Sequence, residues 1–153
     1  MDTPYQHTQH GPLWMMLGVP FAGALAAAVF AEEPALRVGM LLFAAFFALI
    51  AACFATLTVR DCGDHLDVRF GPLPWWGTRV RYDAILRVEP ARSRLIDGFG
   101  IHWLPGRGWT FNLWGFDCVE ITTDRRRLRI GTDDPDGLLR HLVARTGQGE
   151  APA

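Results

Sequence analysis

The chain has 153 residues, a formal net charge of -1, 50% apolar residues and no lysine. That length holds about one domain, which excludes a multidomain machine, and the near-zero charge excludes a general nucleic-acid binder with its basic excess. The averages conceal a division. Between Leu13 and Val59 the charged side chains are Glu32, Glu33 and Arg37, whereas beyond Val59 charges come every few residues.

Residues 1–12 read as an N-terminal tail with little charge. Leu13 to Ala31 is LWMMLGVPFAGALAAAVFA, and Val38 to Val59 is VGMLLFAAFFALIAACFATLTV. At about 1.5 Å per residue these runs make helices of roughly 28 and 33 Å, enough to cross a hydrocarbon core of about 30 Å. Within lipid a helix is required, because no water satisfies the backbone amides and carbonyls. Residues 13–59 are therefore expected to form a transmembrane hairpin, with Pro20 bending its first helix. A cleaved signal peptide is the competing reading of the first run, since Val29-Phe30-Ala31 looks like a cleavage site. Residues 1–12 hold no Lys or Arg, however, so the usual basic region is missing. The second run is too long and uncharged for a core helix in so small a chain.

Residues 32–37 are too few to do more than reverse the chain, so the helices are expected to pack antiparallel. Ala44, Ala48, Ala51 and Ala55 form a smooth stripe on the second helix, and Ala22 and Ala26 with Gly18 or Gly23 offer a similar strip on the first. Small residues allow the close approach on which helix association in lipid depends. Arg60, Arg69, Arg79 and Arg81 follow the second span, while the connection has one Arg beside two Glu. The retention of positive residues inside then places both termini in the cytoplasm, in a multi-pass protein of the inner cell membrane. Cys53, Cys62 and Cys118 suggest no disulfide framework.

Residues 60–147 read as a small β domain closed by a helix, followed by a disordered tail over 148–153. Runs of period-two alternation, each with one face buried and one in water, are 65–70, 79–82, 85–89, 101–104, 109–114, 119–122 and 128–130. Pro105-Gly106-Arg107-Gly108 and Thr123-Asp124-Arg125-Arg126 are hairpin material. About seven such strands indicate an antiparallel barrel or sandwich. Asp133, Asp134 and Pro135 then signal a helix start, with capping carboxylates and proline at the first helical position. Leu138, Leu139, Leu142 and Val143 give that helix an apolar face, while Arg140, His141 and Arg145 are expected to point away.

Strands closed by one C-terminal helix behind two spans resemble the bacterial pleckstrin-homology-like membrane proteins. The resemblance rests on Gly98-Phe99-Gly100-Ile101-His102-Trp103 with Gly108-Trp109-Thr110-Phe111-Asn112-Leu113-Trp114-Gly115, and on residues 128–135, Leu128-Arg129-Ile130-Gly131-Thr132-Asp133-Asp134-Pro135. It implies an α+β fold, a two-helix transmembrane hairpin before a PH-like β-barrel or sandwich with a capping helix. It also implies a non-catalytic role in scaffolding, oligomerisation or membrane contact. Relatives with that fold often hold phosphoinositides in a basic loop between the first two strands. The equivalent stretch here, Arg60-Asp61-Cys62-Gly63-Asp64, is as acidic as it is basic, so inositide binding is not expected.

Arg125-Arg126-Arg127 with Arg129 is the densest charge cluster, able to hold anionic headgroups or simply to keep an edge strand soluble. Trp75 and Trp76, adjacent in the turn Gly71 to Gly77, cannot both face the interior of one strand. They are expected either at the headgroup boundary or covering an open edge of the β domain. Trp103, Trp109 and Trp114 are expected to build core across a hairpin, or else to present a groove to a partner. His7 and His10 have metal-pair spacing, but no cluster supplies the remaining ligands, so no metal and no cofactor are expected. Ser93, the only serine, lacks a surrounding motif, and no phosphate-cradling glycine loop is present. The expected partners are the lipid bilayer and a protein partner or second copy, with no nucleic acid and no small-molecule substrate. The alternative role is a sensor of anionic phospholipid through Arg125 to Arg129 with Trp75 and Trp76.

Overall fold

A computed structural model describes residues 4–73, 75–94 and 99–148. The chain is α+β, with nine strands and three α-helices among these residues. The expected C-terminal tail falls, beyond Gln148, outside them.

Strand β1 (Gln6–His10) precedes helix α1 (Leu13–Phe30), and helix α2 (Pro34–Cys53) precedes strand β2 (Thr56–Asp61). β1 and β2 pair antiparallel, with His10 opposite Thr56 and Gln6 opposite Arg60. The helical hairpin is thus an excursion from between two neighbouring strands, leaving and returning at one place. Two expectations are corrected here. Residues 6–10 are not a loose tail, because the Thr56–Asp61 edge offers them a ladder. The second apolar run also stops being helical at Cys53. Beyond Phe54 the β-branched Thr56, Thr58 and Val59 suit a strand, and period-two burial of Leu57 and Val59 decides the matter.

The α1–α2 contact also departs from expectation. Ala24 and Ala28 of α1 and Ala44 of α2 are buried, whereas Ala22, Gly23, Ala26 and Ala48 are exposed. In so alanine-rich a helix several faces are small, so composition alone does not select one. Ala31 ends α1, and its carbonyl accepts a 2.8 Å hydrogen bond from the Arg37 guanidinium. That places a cation where unsatisfied carbonyls and the helix dipole favour one.

The first sheet continues through β3 (His65–Phe70) and β4 (Gly77–Arg81), in the order β1-β2-β3-β4. A single 3₁₀ turn (Tyr82–Ala84) leads into β5 (Ile85–Arg92). β6 (Gly100–Leu104), β7 (Gly108–Asn112), β8 (Asp117–Thr123) and β9 (Arg127–Gly131) complete the second sheet, in the order β5-β8-β9-β7-β6. All seven expected strands are present, with β1 and β2 added. The sheets are not purely antiparallel, since β7 and β9 run parallel. Among the described residues no ladder joins the two sheets, so the barrel is not closed.

One core lies between the sheets. Leu66, Val68 and Phe70 meet Val119, Ile121, Leu128 and Ile130, all fully buried. Helix α3 (Pro135–Thr146) covers the side beside β5, β8 and the 3₁₀ turn, through Leu138, Leu139 and Leu142. It starts as expected, with Asp134 accepting from the Gly137 N–H and Pro135 in the first turn. It ends at Gly147, whose left-handed φ of 66° suits glycine. Asp133 does not cap; it pairs with His7 of β1 instead.

Candidate functional site

Three surfaces carry the residues singled out in the sequence. The first is the base of the helical hairpin. Phe54 ends α2 between the rings of Phe70 (5.5 Å between centroids) and Trp76 (6.5 Å), with Gly100 against its edge. The β3–β4 turn is therefore fixed at the foot of α2. There Trp75 is 75% exposed and Trp76 half-exposed. Trp14 at the start of α1 is exposed as well. Trp114 belongs to this end rather than to a strand. It follows β7, stacks on Phe99 at 5.0 Å, and its carbonyl accepts from the Gln9 amide at 2.8 Å.

The second surface is the β6–β7 tip. Trp103 and Trp109 face each other in register but remain exposed, so the core reading of this pair is overturned. The core residues of that hairpin are Phe111 and the following Leu113. Trp109 is on the same side of its strand as Phe111, with their ring centroids 6.4 Å apart, yet Trp109 is exposed and Phe111 buried.

The third surface holds the arginines, and they do not act as one cluster. Glu120 of β8, almost wholly buried, receives Arg129 Nε at 2.6 Å and Arg127 Nε at 3.2 Å. Those two arginines are thereby committed to a carboxylate on their own sheet. Arg126 reaches across to the first sheet and donates to Thr78 Oγ1 at 2.8 Å and the Arg79 carbonyl at 3.3 Å. Arg125 extends into solvent with Asp124 at 3.6 Å.

A fourth grouping escaped the sequence reading. Asp61 follows Leu57 and Val59 on the inward face of β2, so its carboxylate is buried at the end of the core. It accepts from Arg145, from Tyr82 Oη at 3.0 Å and from the Gly63 N–H at 2.8 Å. Burial by itself raises a carboxyl, but these donors outweigh it and hold Asp61 below the ordinary carboxylate range. His141 lies 3.6 Å from Asp61, 3.1 Å from Tyr82 Oη, and stacks on Tyr5 at 5.1 Å. Burial and then Arg145 push its imidazole below the usual value, against the pull of Asp61. His141 and Arg145 therefore do not point away from the core. Their spacing from Leu138 and Leu142 already places them along that stripe, and an acidic residue continuing an apolar alternation was the signal for Asp61.

This grouping ties Tyr5 just before β1, β2, the 3₁₀ turn and α3 together through the contacts of Asp61 and His141. Among the described residues no three His, Cys, Asp or Glu are placed to hold a metal ion. His7 is engaged by Asp133, Cys53 and Cys118 are buried, and Cys62 is exposed. Comparison of the chain with known families, characterised proteins and solved structures gives no match.

Proposed function

We propose that this chain is an integral protein of the inner cell membrane. Its α1–α2 hairpin crosses the bilayer, both termini are cytoplasmic, and the β unit serves there as a scaffold, accessory subunit or oligomerisation module. One observation carries the reading. The hairpin buries little except small residues against itself, and its outward side chains are apolar on every side. Met16, Val19, Val29, Phe30 and Leu42 are each at least two-thirds exposed. Of the twenty residues of α2 only Ala44 and Cys53 are buried. A core helix of a water-soluble protein is covered, and a contiguous apolar surface of this extent is not tolerated in water. Lipid as the solvent removes the conflict.

The aromatic residues at the hairpin base support the same reading. Trp14, Trp75, Trp76 and Trp114 gather where a span would leave the hydrocarbon, the position that amphipathic rings favour. The arginines that follow α2 favour the cytoplasmic side. The two packed sheets with a helix at one end fit a pleckstrin-homology-like unit, elaborated by a strand placed before the spans. The role is non-catalytic in this reading, and the exposed Trp103 and Trp109 offer the contact surface.

The test is the oligomeric state and stable company of the full chain solubilised from native membranes. An assembly larger than the monomer, reduced to monomer by Trp103→Ser/Trp109→Ser, is the expected result. A monomer without a stable companion, in both detergent and cross-linked membranes, would overturn it.

A further inference from the structure

The seam between the two sheets, where β4 approaches the β8–β9 turn without pairing, forms an open groove of about 400 Å³. Four arginines line it. Arg79 and Arg81 occupy alternate positions on β4, on either side of the inward Val80, and Arg125 and Arg126 come from the turn. Asp124 is the one carboxylate among the lining residues. We infer that this groove binds a phosphoryl anion, a phosphate monoester or diphosphate.

Solubility of an edge strand explains the arginines of β4, and a solvated hairpin tip explains those of the β8–β9 turn, which joins two interior strands. Neither explains their convergence from two different sheets on one groove. The groove is also built rather than loose. Arg126 is held by Thr78 Oγ1 and the Arg79 carbonyl, and its own N–H donates to Thr123 Oγ1 at 3.0 Å. Asp67 stands 3.4 Å from Arg79 Nε, and Asp83 accepts from Arg81 Nε at 3.0 Å and Nη2 at 2.6 Å, so a ligand would have to engage Arg79 and Arg81 beside these carboxylates, which themselves lie outside the groove lining. The side chain of Arg125 is 88% exposed and stands 3.6 Å from Asp124. Arginine forks match the terminal oxygens of a phosphoryl group two at a time, and a multiply charged anion can engage several forks together.

The groove lies beside the turn that opens β9, whereas the helical base meets the other end of that sheet, at Gly100 and Leu113. A soluble phosphoryl compound and a phosphorylated lipid headgroup share the required chemistry, and the inference does not depend on where the spans lie.

The experiment titrates the full chain in neutral detergent with inorganic pyrophosphate, at about 0.1 M salt to screen distant charges. A second arm uses micelles doped with phosphatidic acid. Pyrophosphate is expected to bind, with at least about tenfold weaker binding to Arg79→Gln/Arg125→Gln, which loses charge-assisted hydrogen bonds. Arg92→Gln, an exposed arginine outside the groove, is expected to bind as the parent does. Binding in the phosphatidic acid arm alone, lost in the same double variant, also supports the site and assigns its ligand to a lipid. The inference is overturned if neither ligand binds, if the double variant retains binding, or if Arg92→Gln weakens it equally.

Discussion

A Cβ added to Gly71 would stand 2.5 Å from the Cα of Cys53, so the β3–β4 turn and the last turn of α2 are in backbone contact. That contact fixes the helical hairpin to the β unit at its foot. Gly71 also has a φ of 59°, in the left-handed region. Gly71→Ala is therefore expected to lower the thermal midpoint of the full chain in detergent by several degrees, while Gly106→Ala, with open space around its Cβ, costs only local strain. Equal effects of the two would show that the contact with α2 contributes nothing.

The helix pairing makes a second distinction. Ala44 is buried between the helices and Ala48, one turn later, is exposed. Ala44→Leu overfills the contact at about 1–3 kcal/mol, whereas Ala48→Leu enlarges an apolar surface and is close to neutral in detergent. Thermal unfolding of both variants checks this, and the reverse order would place the contact on the stripe containing Ala48.

Glu120 gives a third. It is the common partner of Arg127 and Arg129, with its side chain 6% exposed. Glu120→Gln leaves two guanidiniums without their carboxylate and is expected to destabilise the chain by about 2 kcal/mol. Arg125→Gln, at the solvent end of the same turn, is expected to change stability little. Chemical denaturation of the two variants reads the difference directly.

Acid is expected to loosen α3 in two stages. The folded pKa of His141 lies below its ordinary 6.5 and that of Asp61 below 3.8, so in each case the unfolded chain takes the proton first. The contribution of His141 is complete above pH 6.5 and is lost as pH falls through its lowered folded value; that of Asp61 is complete above pH 3.8 and is lost further down. Stability followed by helix ellipticity should therefore fall as pH drops below 6.5, and His141→Gln should remove that first stage alone. A stage that persists in His141→Gln would assign it to another group.

Most strands were legible in the sequence because each has one wet and one buried face. The hairpin tryptophans were less so. Alternation places Trp109 with Phe111, but only the arrangement of the sheets decides that Phe111 is covered and Trp109 is not. The end of α2 was hidden for a related reason, since Phe54 to Val59 is equally apolar in a helix and in an inward-facing strand. β1 was missed because its polar residues, Gln6 to His10, show no alternation of their own. Its place comes from the ladder with β2. The arginine run was plain in sequence, but its division between Glu120 and the groove depends on register, with Glu120 opposite Arg129.

Extraction of native membranes with alkaline carbonate tests the central proposal most directly. Peripheral proteins are stripped by this wash, whereas a chain held by two apolar helices stays with the lipid. Retention of the intact chain in the membrane pellet is the predicted result. Its release into the supernatant would contradict the hairpin as a membrane anchor.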